Sequence, residues 1–70
     1  MPMKFHIETE QEEDGRWIGE VVELPGALAY ARTEDEARAK AKALALRIIA
    51  DRLEHGEAGP ETSSITFDAA

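Results

Sequence analysis

From Met3 to Glu10 apolar and polar residues alternate, Met3, Phe5 and Ile7 against Lys4, His6 and Glu8. A period of two belongs to a β-strand with one face covered and the other wet. The acidic run Glu12-Glu13-Asp14-Gly15 follows, and its Asp-Gly pair tolerates the positive φ of a hairpin turn. Arg16 to Glu23 reads as a second strand with apolar groups on both faces, Trp17 and Val21 on one, Ile18 and Val22 on the other. Such a strand calls for cover on each side. Leu24-Pro25-Gly26 ends it, because proline donates no N–H and glycine reaches angles that other residues resist. Ala27 to Ala31 gives a third strand that sets Leu28 and Tyr30 opposite the three alanines.

At Thr33 the period changes. Thr33-Glu34-Asp35-Glu36 has the form of a capping box, in which the threonine hydroxyl accepts from the Glu36 N–H and the Glu36 carboxylate returns to the Thr33 N–H. The helix predicted from there runs from Glu34 to His55, with acids in its first turn, Arg52 and His55 in its last, and Gly56 as a left-handed stop. It spans about 33 Å, against about 20 to 27 Å for a strand of six to eight residues, so it overhangs its sheet. Ala37, Ala41, Leu44, Ala45 and Ile48 form one apolar stripe, and Leu46, Ile49, Ala50 and Leu53 a second, displaced by more than a quarter turn. One stripe can face the sheet. The other is expected to meet another subunit, with Leu46, Ile49 and Leu53 as the oligomer interface. Glu36, Lys40, Arg47, Asp51 and Glu54 share the wet arc, Glu36 with Lys40 and Arg47 with Asp51 at pairing distance in sequence. Gly56 to Ser64 reads as a loop, and Ile65 to Asp68 as a short fourth strand. The fold class is α+β in the order β-β-β-α-β, with one long helix packed on one face of the sheet.

Composition narrows the function. The 70 residues allow one domain, 1–70, with no C-terminal DNA-binding segment, and a core small enough that a subunit contact is the expected stabiliser, as a dimer or tetramer. There is no Cys for a disulfide, and the two His lack zinc-ligand spacing. A formal charge of −7 with three Lys argues against direct DNA or RNA binding and for a basic partner. No apolar run reaches signal-peptide or membrane-spanning length, so a soluble, cytoplasmic chain with no membrane contact is expected.

The search for chemistry yields little. Gly15, Gly19 and Gly26 do not stand in a phosphate-loop spacing. His6 beside Glu8 resembles a base and its orienter, yet such i, i+2 neighbours on a strand are commonly accidental. Glu8, Glu10 and Asp68 would converge if the last strand lay beside the first, but chance proximity is expected among 15 acids, and no metal or other cofactor is assigned. Trp17 is either core or a binding anchor.

The run Asp14-Gly15 then Trp17, followed by Glu23-Leu24-Pro25-Gly26 and by Thr33-Glu34-Asp35-Glu36-Ala37, resembles the HicB family, the antitoxin side of HicA/HicB toxin-antitoxin pairs. The resemblance covers about residues 3 to 68. Val22 stands where that family often has Pro, and Ala31-Arg32 where it has Gly and Asp. The resemblance implies a partial RNase H-like sheet, a three-stranded antiparallel meander with the fourth strand parallel to the first. It also implies a non-enzymatic role: neutralising a small basic HicA-type toxin, an mRNA-cleaving ribonuclease, by protein–protein binding. Trp17, Glu20, Glu23 and Tyr30 are the partner-binding candidates. The competing classes are an orphan oligomeric scaffold or ligand-binding module without a toxin partner, and a divergent metal-dependent nuclease.

Overall fold

The computed structural model describes residues 3–56 and 65–69. β1 (Met3–Gln11), β2 (Trp17–Val21) and β3 (Leu28–Ala31) precede one helix, α1 (Glu34–Glu54), and β4 (Ile65–Ala69) closes the described chain. The protein is thus α+β, in the order β-β-β-α-β. Its four strands form one mixed sheet in the order β3-β2-β1-β4, with β1–β2 and β2–β3 antiparallel and β4 parallel to β1. Of the expected loop from Gly56 to Ser64, residues 57–64 lie outside the described residues.

The first hairpin decides which side of each strand meets the helix. Glu12 N–H donates to the Arg16 carbonyl at 2.7 Å and Gly15 N–H to the Glu12 carbonyl at 3.0 Å. Gly15 takes φ 90°, the left-handed bulge that follows a tight turn. This connection sets Gln11 opposite Trp17 and Ile7 opposite Val21. Side chains alternate along each strand, so Phe5, Ile7, Trp17, Gly19, Val21, Ala29, Ala31 and Phe67 share the helix side. Lys4, His6, Glu8, Glu10, Ile18, Glu20, Leu28, Tyr30, Thr66 and Asp68 share the other.

The helix begins as its sequence predicts, with Thr33 extended (φ −128°, ψ 158°) and its hydroxyl accepting from the Glu36 N–H at 3.1 Å. The return half of the capping box is replaced: the Glu36 carboxylate meets Lys40 Nζ at 3.3 Å instead. At the other end His55 is the cap, its N–H reaching the Asp51 carbonyl at 3.1 Å, and Gly56 takes φ 69°. Asp51 approaches His55 at 3.4 Å, where the sequence had suggested Arg47 as its mate.

Ala37, Ala41, Ala45 and Ile49 form the buried row of α1, one residue per four. Three alanines in that row let the helix axis come close to the sheet. Phe5, Ile7, Val21, Leu24 and Ala27 meet the row from below, with Leu44, Ile48, Ile65 and Phe67 at its margins. Phe5 and Phe67 are in ring contact, centroids 5.4 Å apart, which ties β4 to the core. No residue of α1 beyond Ile49 is buried among the described residues.

Two expectations change. Ile49, assigned above to an oligomer interface with Leu46 and Leu53, belongs to the core at 4% exposure, whereas Leu46 (45%) and Leu53 (50%) are open. The helix turns its row of closest approach through Ile49 because a line of residues four apart drifts slowly around the axis. The second strand, expected to reach Glu23, stops at Val21. Leu24 N–H turns back onto the Val21 carbonyl (3.1 Å) and Ala27 N–H onto that of Leu24 (3.0 Å), with Gly26 at φ 94°. This turn drives Leu24 into the core, at 2% exposure.

Candidate protein-binding face

The side of the sheet away from α1 is uncovered among the described residues. Its strand pairs run in rows. Tyr30 stands opposite Ile18 and Ile18 opposite Glu10, while Leu28 stands opposite Glu20 and Glu20 opposite Glu8. Ile18 is half-buried by its neighbours, and Leu28, Tyr30 and Val22 are exposed. An apolar patch at the β2–β3 side therefore adjoins carboxylates at the β1–β2 side. Glu8, Glu10, Ile18 and Glu20, with Thr9, line a shallow cavity of about 130 Å³.

The cations of this face are largely spoken for. Lys4 Nζ lies 3.1 Å from the Asp68 carboxylate. Glu23 folds back from the β2 exit onto β1, where it accepts from the His6 backbone N–H at 2.8 Å and meets the His6 Nδ1 at 2.5 Å. Those contacts, the backbone N–H foremost, hold the Glu23 carboxyl below the usual glutamate range. At the hairpin tip Arg16 Nε pairs with Asp14 at 2.7 Å, and its guanidinium lies 4.7 Å from the Tyr30 ring centroid. The Arg16 N–H, and then its side chain, keep the Asp14 carboxyl low as well. Glu8, Glu10 and Glu20 have no ion-pair partner among the described residues, and Glu8 faces Glu20 directly across the strand pair.

Of the four partner-binding candidates, the structure brings three together. Glu20 and Tyr30 stand on the open face, and Glu23 reaches it through His6. Trp17 does not join them: its position opposite Gln11 and Ala31 sets it on the helix side, half-buried. Sequence reasoning missed Ile18, Leu28 and Glu8, although the alternation of β2 already held Ile18 as one of two options. Asp68 does come beside β1, opposite His6, but it is engaged by Lys4. Among the described residues no group of three or more Asp, Glu or His side chains is gathered as a metal site. No described helix is long and apolar enough to cross a membrane.

Comparison with protein-family models, with curated proteins and with solved structures finds no match to this chain.

Proposed function

We propose that the chain is a HicB-like binding module, with a partial RNase H-like fold, that neutralises a small basic HicA-type toxin by covering it with the open sheet face. The observation that carries the reading is the face left uncovered among the described residues, where the apolar row Leu28, Tyr30 and Ile18 borders Glu8, Glu10 and Glu20, carboxylates with no ion-pair partner among those residues. Apolar and aromatic groups supply most of the affinity at such a contact, while complementary charge speeds encounter and fixes register. A formal charge of −7 suits a cationic partner. The parallel placement of β4 beside β1 supports the same reading, since the HicB resemblance implies that arrangement.

Co-expression with each short basic protein encoded beside this chain tests it. The reading expects one of them to arrest growth alone, to be rescued by this chain, and to co-purify with it. Glu20→Lys combined with Tyr30→Ala should abolish rescue. Trp17→Ala should lower stability while the folded fraction still binds. No rescue and no complex with any such protein would overturn the toxin reading and leave an orphan module.

A further inference from the structure

β3 is an edge strand among the described residues, and its backbone pattern shows what its free side offers. Val21 N–H donates to the Ala27 carbonyl at 2.9 Å, and Ala29 and Ala31 stand opposite Gly19 and Trp17. In an antiparallel ladder alternate residues bond inward, so Ala27, Ala29 and Ala31 serve β2, and the N–H and C=O groups of Leu28 and Tyr30 point away from it. Natural edges are commonly blunted by proline, by charge or by a bulge, and Leu28-Ala29-Tyr30-Ala31 has none of these.

Beside this edge, on the helix side, lies an apolar hollow of about 330 Å³ lined by Ala29 of β3 and by Ala43 and Leu44 of α1. The charged residues that line it, Lys40 and Arg47, are both cations. Lys40 has Glu36 at 3.3 Å, one turn back along the helix. Arg47 is exposed and has no ion-pair partner among the described residues, since Asp51, one turn on, meets His55 instead. The two cations stand two helical turns apart, about 10 Å along the axis. In a chain of formal charge −7, the seam between β3 and α1 thus presents cations around an apolar floor.

We infer that the β3 edge and this hollow receive an extended acidic segment of another protein, which adds a strand to the four-stranded sheet. Its backbone takes the outward N–H and C=O groups of Leu28 and Tyr30, as strand addition does. Side chains alternate, so the residue opposite Ala29 enters the hollow, and its two neighbours pack against the exposed Leu28 and Tyr30 on the open face. The residues two before and two after it return to the helix side, about 13 Å apart. Carboxylates there come within reach of the long side chains of Lys40 and Arg47. The recognised pattern is therefore an acid, three apolar residues and an acid, and it reads the same in either strand direction.

Charge selects this occupant. A second copy docked edge to edge brings another Lys40 and Arg47 to the same seam, where like charges meet. A nucleic acid has the anions but neither the peptide groups that an edge strand pairs with nor an apolar side chain for the hollow. The overall −7 opposes an acidic ligand at long range. Fields of exposed charges fade over about 8 Å at physiological salt, however, so the cations beside the ligand outweigh the distant acids. Glu8, Glu10 and Glu20 lie on the opposite side of the sheet from this hollow. The inference rests on the strand edge and the two cations, and it stands whether or not the open face covers a toxin.

Amide NMR of the full chain, titrated with a short peptide carrying Glu-Val-Leu-Val-Glu between Ser and Gly residues, tests it. The expected result is saturable binding below about 1 mM, with the Leu28 and Tyr30 amides shifting most and their hydrogen exchange slowed at least about fivefold. A peptide with Lys in place of both Glu should bind at least about tenfold more weakly, although the net charge of the chain favours it. Lys40→Gln with Arg47→Gln should weaken the acidic peptide at least about fivefold without changing the helix ellipticity. Leu28→Pro removes an outward N–H without touching the β2–β3 ladder, and should abolish binding. If that variant fails to fold, the same loss is read with a peptide methylated on the backbone nitrogens that face the edge. Lack of saturable binding below about 1 mM, or equal affinity for the Lys peptide, would overturn the inference. So would shifts centred on Glu8 and Glu20, or a free chain already dimeric with its Leu28 and Tyr30 amides protected.

Discussion

Gly19 sits in the middle of β2 on the helix side, and a methyl group there should damage the fold more than any surface substitution. A Cβ at position 19 would lie 2.5 Å from the Ala37 carbonyl oxygen and 2.8 Å from its carbon. The first distance is 0.9 Å short of the 3.4 Å at which ordinary contact begins. Both partners in the clash are backbone, one in a strand bonded on both sides and one in the first turns of a capped helix, so no rotamer change relieves it. The helix has to lift at Ala37, and the row Ala41, Ala45 and Ile49 then loses contact with Phe5, Ile7 and Val21. Overpacking of this kind costs about 1 to 3 kcal/mol, and the rigid surroundings place Gly19→Ala at the upper end. A chain of this size has roughly 4 to 10 kcal/mol in total.

Urea unfolding followed by helix ellipticity, at one fixed protein concentration, reads the effect. With a slope of about 1 kcal/mol per molar urea, the midpoint should fall by about 2 to 3 M. Ala37→Gly should not rescue it, since the clash is with the Ala37 carbonyl rather than its methyl group; the added helical glycine should instead cost about 1 kcal/mol more. A Gly19→Ala midpoint within about 0.5 M of wild type, or recovery in the double variant, would refute the close backbone approach.

Ile49→Ala should destabilise by about 2 to 4 kcal/mol, as a core truncation does, while Leu46→Ala should stay within about 0.5 kcal/mol; equal effects in urea titrations would contradict the division between core row and open flank. Glu23 is held below the ordinary glutamate value of 4.5 in the folded chain, so its contribution is present above that pH and is lost as pH falls through the lowered folded value. The gap between wild-type and Glu23→Gln urea midpoints should therefore be full at pH values well above 4.5 and shrink as the pH is taken below it; a gap that does not shrink with acid would show that the His6 contacts do not depend on the carboxylate charge.

Much of the fold was legible because local chemistry and global packing agree. The alternation of β1, the Asp14-Gly15 turn, the Thr33 cap and the Gly56 stop each point to one local structure, and β1, β3, α1 and β4 formed within a residue of their predicted bounds. The β2 exit was less legible. Leu24 looked like part of a strand-breaking run, and nothing local says that the turn aims it into the core. Ile49 was misread for a related reason. Two apolar stripes on a helix compete, and the choice depends on the small residues opposite, Gly19 above all, that fix where the helix axis can approach.

The candidate site turned on parity. Trp17 and Ile18 are adjacent in sequence and lie on opposite sides of the sheet, and the connection from Gln11 to Trp17 decides which is covered; one residue more or less would exchange them. The observed register covers Trp17 and leaves Ile18 between Tyr30 and Glu10. It also sets Glu8 against Glu20, an arrangement that costs stability in an isolated sheet, because like charges directly opposite repel. The exposed Leu28 and Tyr30 beside that pair are unfavourable in water for the opposite reason. One ligand relieves both only if it brings a cation to the carboxylates and an apolar group to the neighbouring row, about one strand spacing apart. A basic protein surface with an exposed hydrophobic side chain next to a Lys or Arg meets that requirement, and a small anion or nucleic-acid backbone does not. That chemical selectivity supports reading the open face as a protein contact.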